Sequence, residues 1–209
     1  MKKPLIAIID YEMGNLRSVS KALELVGART IITGSPRALM SADAVVFPGV
    51  GSFGPSIKFI KRKGIYDAIY RIIEAGKPFL GLCLGFQMLF DSSSEGGSYK
   101  GLGIFPGKVV RLKNSQIVPH MGWNSIRYTP AAGKTMFKGI PNDSYFYFVH
   151  SYYGVPEEKD AAAGSTVYGA KFCSAVIKDK VWGCQFHPEK SGRNGIKLLS
   201  NFIAEAGKC

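Results

Sequence analysis

Cys83 stands at the centre of Gly81-Leu82-Cys83-Leu84-Gly85, between an apolar run and a helix-like stretch. Glycines on both sides permit a tight, strained turn that lifts a nucleophile out of a sheet. At such a turn the helix start favours a thiolate, and the Leu84 amide points where an oxyanion would form. The pentapeptide fits a small buried hydrophobe at a packed turn equally well, since cysteine is among the most buried residues. A nucleophile needs a base, and the base needs an orienter. His187-Pro188-Glu189 supplies both residue types. Proline biases His187 toward an extended backbone, in which residues two apart share a side, so Glu189 is expected to reach the imidazole. Alone, His-Pro-Glu reads as an ordinary loop. Both segments, however, follow strand-like runs, and ligands gather beyond the carboxyl ends of strands in an open parallel sheet. Together they point to a Cys-His-Glu triad.

A third segment, Pro48-Gly49-Val50-Gly51-Ser52-Phe53-Gly54, contains a literal GxGxxG. A dinucleotide site is the competing reading. That fingerprint belongs after the first strand, with an acidic residue ending a strand about 20 positions later. Here it follows the third strand, and Glu74 falls in a helical stretch. The other use of such a loop is a close-approaching backbone whose amides complete an oxyanion hole.

The elements that must position these residues alternate in the first half. Leu5 to Ile9 is a continuous apolar run, as in a strand covered on both faces. Asn15 to Val26 has helical periodicity and stops at Gly27. Strands are expected at Arg29 to Thr33, Ala44 to Phe47 and Pro78 to Cys83. Ser56 to Ala75 reads as helix with a break at Gly64, and Phe86 to Phe90 as the start of another. This order implies a doubly wound, mostly parallel sheet with helices on both faces. The second half is β-rich: Ile104 to Leu112, Ser125 to Tyr128, Tyr145 to Val149, Thr166 to Phe172, Ala175 to Lys178 and Val181 to Phe186. Asn194 to Ala206 closes the chain as an amphipathic helix. One α/β domain over residues 1–209 is the economical picture.

The 209 residues carry 27 basic and 15 acidic side chains, a net charge of +12. The charges are scattered, and the one dense cluster, Lys58, Lys61, Arg62 and Lys63, reads as the solvated side of a helix. No nucleic-acid partner is expected, although an acidic protein partner would suit the charge. No run of about 18 apolar residues suggests a membrane span. Cys83, Cys173, Cys184 and Cys209 form no CxxC pair, and His120, His150 and His187 show no ligand spacing. Reduced thiols in the cytoplasm and no metal are therefore expected.

These segments resemble the class I (triad) glutamine amidotransferases over nearly the whole chain. Longer strings carry a narrower resemblance: Ile9-Asp10-Tyr11-Glu12-Met13-Gly14-Asn15, Pro119-His120-Met121-Gly122-Trp123-Asn124, Phe148-Val149-His150-Ser151-Tyr152 and Phe186-His187-Pro188-Glu189-Lys190-Ser191. They are similar to the branch that supplies ammonia to a (β/α)8-barrel cyclase making imidazole glycerol phosphate and an aminoimidazole carboxamide ribonucleotide in histidine biosynthesis. A paralogous subunit feeding a sugar-modifying synthetase is the alternative. The resemblance implies glutamine hydrolysis through a Cys83 thioester, without a cofactor. It implies an oxyanion strand at Gly49, Val50 and Gly51, with the Leu84 amide as second donor. Gln87, Ser151 and Tyr152 match glutamine-binding positions. Asn15, Trp123, Tyr147 and Lys190 match positions at the partner contact and ammonia gate. Ser151 stands where many relatives have threonine, which keeps the hydroxyl. The resemblance further implies a glutaminase nearly silent until the partner binds its own substrate, with glycine permitting a backbone flip in the oxyanion strand.

Overall fold

The computed structural model describes residues 3–112 and 117–207; Cys209 lies outside them. The first half winds as β1 (Leu5–Ile9), α1 (Leu16–Leu25), β2 (Arg29–Thr33), α2 (Pro36–Ser41), β3 (Ala44–Phe47), α3 (Phe53–Arg62), α4 (Ile65–Glu74), β4 (Phe79–Leu82) and α5 (Leu84–Met88). There follow β5 (Phe90–Ser93), β6 (Tyr99–Lys100), β7 (Phe105–Arg111), β8 (His120–Tyr128), α6 (Pro130–Gly133), β9 (Ser144–His150), β10 (Tyr152–Pro156), β11 (Ala162–Tyr168), β12 (Ala170–Lys178), β13 (Val181–Cys184) and α7 (Gly192–Ala206).

The main sheet has the order β2-β1-β3-β4-β13-β12-β11-β8-β9. Strands β2 to β13 in that order are parallel, and the remaining four join antiparallel. A second sheet, β10-β7-β5-β6, flanks the site. The expected α/β architecture is therefore present, with its β-rich second half. Alternation along β1 divides the core. Ile6 and Ile8 face the layer beneath α1 and α7, with Val19, Leu23, Leu198 and Phe202. Ala7 and Ile9 face the layer beneath α2, α3 and α4, with Leu39, Ile57, Ile60 and Ile69. Burying each such large apolar side chain contributes about 1.5–3 kcal/mol, so the central strands are held from both faces.

Several expectations need correction. The helix expected from Phe86 begins at Leu84 and ends at Met88, because Phe90 already pairs with Phe105 in the second sheet. Thr166 to Phe172 is not one strand: Gly169, at φ +70, turns the chain between β11 and β12. Helices α2 and α6 and strands β5, β6 and β10 go beyond what the sequence pattern predicts. Helix α2 is marked by Ser35, whose hydroxyl accepts from the Ala38 amide, and by Pro36 in its first turn. The break at Gly64 occurs as expected, with that glycine at φ +69 starting α4. Lys58, Lys61, Arg62 and Lys63 are all solvent-facing.

Candidate active site

Strands β3, β4 and β13 are neighbours and parallel, so their carboxyl ends meet at one edge. That adjacency brings three distant segments together: the loop after Phe47, the elbow at Cys83 and the turn at His187. Cys83 occupies φ +51, ψ −106, a conformation that strains any residue with a Cβ. The elbow is pinned by the Cys83 amide, which donates to the Cys184 carbonyl at 2.8 Å. Helix α5 has only five residues, so its dipole does little for a thiolate, contrary to the sequence expectation.

His187 is extended (φ −106, ψ 95), but Pro188–Lys190 is a turn of 3-10 helix. Glu189 thus reaches the ring through a tight turn and not by strand alternation. Its Oε1 lies 2.8 Å from His187 Nδ1, with both side chains almost fully buried. The Ser191 hydroxyl fastens the turn by donating to the His187 carbonyl at 2.6 Å. Burial works to lower the His187 pKa, but Cys83 and Glu189 outweigh it and push the value up to about 10. His187 is thereby held as an imidazolium between Cys83 and Glu189. Its Nε2 is buried with no well-aligned hydrogen bond, yet Cys83 is near enough to raise the pKa both as a hydrogen-bonding neighbour and by its charge.

A cavity of about 270 Å³ opens beside the sulfur, lined by Val50, Gly51, Leu84, Gln87, Ser151 and Tyr152 as well as Cys83. Glu95, Pro119, Val149 and His150 complete the lining. The expected oxyanion and substrate residues thus converge on Cys83. Gly49 lies just behind, where a Cβ would come within 2.0 Å of the Tyr11 hydroxyl oxygen. Gly51 adopts φ +105, open to glycine at little cost. The Leu84 amide already donates to the Gly49 carbonyl, at 3.4 Å. In this conformation a carbonyl oxygen occupies the expected oxyanion donor.

Asn15, Gly49, Val50, His187, Glu189 and Lys190 line a narrow cleft on the other side of the loop. Asn15 also caps α1, its Oδ1 accepting from the Ser18 amide at 3.3 Å. The Lys190 ammonium lies 5.9 Å from the centroid of the Tyr147 ring, which makes an edge contact with Trp123 at 6.1 Å. Trp123 is exposed beside Met121 and Tyr145. The four expected gate residues therefore lie close to the triad's outer side.

Sequence reasoning missed Glu95, Gln185 and Tyr11. Glu95 lines the cavity, and its Oε2 accepts the Phe53 amide at 2.9 Å. A carboxylate therefore occupies the helix start where a dinucleotide pyrophosphate would bind, which counts against the GxGxxG reading. Gln185 is fully buried, and its Nε2 lies 3.6 Å from Cys83 Sγ. It precedes His187 by two residues, and that spacing was the available signal. Burial raises the Tyr11 pKa, and Cys83 adds to the rise; its hydroxyl has no partner. Burial also pushes Cys173 up to about 12 and Cys184 well above the ordinary thiol value, which keeps both as thiols. Among the described residues, no cluster of three or more His, Cys, Asp or Glu could hold a metal, and no helix is long and apolar enough to cross a membrane.

The class I glutamine amidotransferase family model matches residues 7–206. The chain belongs to that family. Its amidotransferase relatives include the imidazole glycerol phosphate synthase subunit HisH of Thermosynechococcus vestitus, 48% identical over 98% of both chains. The subunit of the same name from Caldanaerobacter subterraneus is 49% identical over 98% of this chain and all of that one. The HisH subunit of Moorella thermoacetica is 48% identical, covering 94% of this chain and 93% of its own. Among solved structures, PurLQS of Thermotoga maritima superposes with a TM-score of 0.79 at 19% identity, covering 97% of this chain and 99% of that one. At that identity the likeness speaks for the amidotransferase fold alone.

Proposed function

We propose that this chain is the glutaminase subunit of an imidazole glycerol phosphate synthase, hydrolysing glutamine and passing the ammonia to a (β/α)8-barrel cyclase subunit. The observation that carries the reading is the convergence of Cys83, the His187–Glu189 pair and the Gly49–Gly51 loop at one edge of the sheet, with Val50 lining both the cavity beside the sulfur and the cleft beside the imidazole. The names of the relatives favour the histidine-pathway partner over a sugar-modifying synthetase. We read residues 1–209 as one cytoplasmic glutaminase domain, since the family match spans nearly all of it.

The chemistry follows from the geometry. The Cys83 thiolate attacks the side-chain amide carbon of glutamine. His187 gives its proton to the departing nitrogen, releasing ammonia and leaving a thioester. The imidazole, now neutral, takes a proton from water as the water attacks the thioester. The tetrahedral adduct expels the sulfur as a thiolate beside the reprotonated imidazolium, and the product carboxyl loses a proton to solvent and leaves as glutamate. Glu189 keeps the ring in one orientation and tautomer throughout. Rotation of the Gly49–Val50 peptide would remove the carbonyl from the Leu84 amide and turn a second donor toward the oxyanion. A resting site with that donor occupied accounts for a glutaminase that waits for its partner.

Cys83→Ala tests the reading in the assembled complex. Glutamate release and glutamine-driven synthesis should vanish, while synthesis from ammonium survives. Loss of both syntheses would make Cys83 structural. High glutaminase activity of the free wild-type chain, indifferent to the barrel and its ligand, would remove the partner from the reading.

A further inference from the structure

The cavity wall contains an oriented chain of side-chain amides that ends on the reacting sulfur. Gln87 Nε2 donates to the Tyr152 carbonyl at 2.8 Å and to Gln185 Oε1 at 3.0 Å. Only the nitrogen of Gln87 can serve two acceptors, so its amide orientation is fixed. Gln185 Oε1 is then an acceptor, and its Nε2 is left facing Cys83 Sγ at 3.6 Å. The backbone of Gln185 is held as well, its amide donating to the Ser174 carbonyl at 2.9 Å. The chain continues outward from Tyr152, whose carbonyl lies 2.8 Å from His150 Nδ1. The Val149 carbonyl lies 3.9 Å from the sulfur, an acceptor that suits the thiol but repels the thiolate.

Helix α5 is too short to stabilise a thiolate by its dipole, and the Leu84 amide is engaged with Gly49. We infer that Gln185 is a catalytic residue, its side-chain amide donating a hydrogen bond to the Cys83 thiolate, and that Gln87 is the residue that turns that amide toward the sulfur. The inference rests on Cys83 being the nucleophile of the proposed glutaminase. It recasts Gln87, whose two donor hydrogens are spent inside the wall, so that only its Oε1 remains for a substrate. It also explains why an amide and not a carboxylate occupies position 185: an acceptor there would oppose the thiolate formed at every turnover.

The test is the pH dependence of Cys83 alkylation by iodoacetamide, which needs neither glutamine nor a partner. Tyr11, Cys184 and His187 are the titratable groups that also sense the Cys83 charge, and all are retained in the variants. Gln185→Met removes the donor and should raise the alkylation midpoint by about one pH unit, the scale of a hydrogen bond to a charged group. Gln185→Asn keeps an amide but withdraws it by one methylene, and should shift the midpoint the same way. Gln87→Leu should give a smaller rise. Midpoints that match wild type in folded Gln185→Met and Gln185→Asn would overturn the inference while leaving the glutaminase reading intact. A Cys83 that stays unmodified across the pH range while Cys184 is alkylated would instead sink that reading.

Discussion

Two buried pairs built on histidine, His187–Glu189 and His120–His150, differ in what stands beside the imidazole, and their pKa values move in opposite directions. His187 meets a carboxylate at 2.8 Å, and its pKa is pushed up to about 10. His120 Nδ1 meets His150 Nε2 at 3.0 Å with no carboxylate at hand. Burial lowers His120 to about 4, and burial with two neighbouring imidazoles lowers His150 to about 3 despite its bond to the Tyr152 carbonyl. One pair is a buried cation ready to give a proton. The other is a neutral strut, with His120 stacked on Tyr168 at 4.0 Å and on Phe148 at 4.8 Å. Burial pushes each of these imidazoles toward the neutral form, and an acidic partner within hydrogen-bond reach is what reverses it at His187.

The largest test of this contrast is chemical. Removing the proton carrier with His187→Ala should lower kcat/KM for glutamine by about 10²–10⁴-fold, the usual scale for general acid–base groups. Glu189→Gln should cost less, because it removes the orienter and leaves the carrier. Steady-state kinetics of the assembled complex would check the order. A larger loss in Glu189→Gln would mean that the proton carrier has been misassigned.

The next test is thermodynamic, since the two pairs should shape opposite limbs of the stability profile. His120 and His150 have folded pKa values below their unfolded value near 6.5. The unfolded chain therefore binds their protons first, and stability falls as pH drops from about 6.5 toward about 4. His187 has a raised folded pKa, so its contribution is complete below about 6.5 and is lost as pH rises toward about 10. Each limb should slope by at most about 1.4 kcal/mol per pH unit for each histidine. Urea unfolding across pH should show His150→Gln flattening the acid limb alone and His187→Gln the alkaline limb alone. Both variants flattening the same limb would break the comparison.

The sequence made the charged pair legible and left the neutral one hidden, for a physical reason. Cys83, His187 and Glu189 carry local marks: an elbow between glycines, a proline after the histidine, an acid two residues on. The parallel strands that bring them together also show as apolar runs. Gln87 and Gln185 are 98 residues apart, and nothing local in either says that their amides touch. His120 and His150 meet only because β8 and β9 pair in a register that sets one opposite the other. Two misplaced element boundaries have a related cause. Gly169 hides a hairpin turn inside one apolar-alternating run, and Phe90 leaves a helical pattern because a second sheet claims it.

The smallest expected effect lies at the outer end of the neutral pair. Asn124 Nδ2 is 3.3 Å from His120 Nε2 and donates to the Val167 carbonyl at 3.0 Å. If His150 Nδ1 donates to Tyr152, His150 Nε2 must accept from His120 Nδ1, and His120 Nε2 must accept from Asn124. The run of tautomers is thus determined from either end. Asn124→Ala removes the last donor and leaves a buried imidazole nitrogen unpaired, at a cost of about 1–3 kcal/mol. For a chain of this size each kcal/mol corresponds to about 2–4 °C in Tm. Because the other tautomer would set His120 Nε2–H against no acceptor, the strut should keep its sense, and glutamine KM should change less than twofold. A KM that rises as far in Asn124→Ala as in His150→Gln would show the two histidines acting on the substrate pocket as one unit, from its edge as strongly as from its wall.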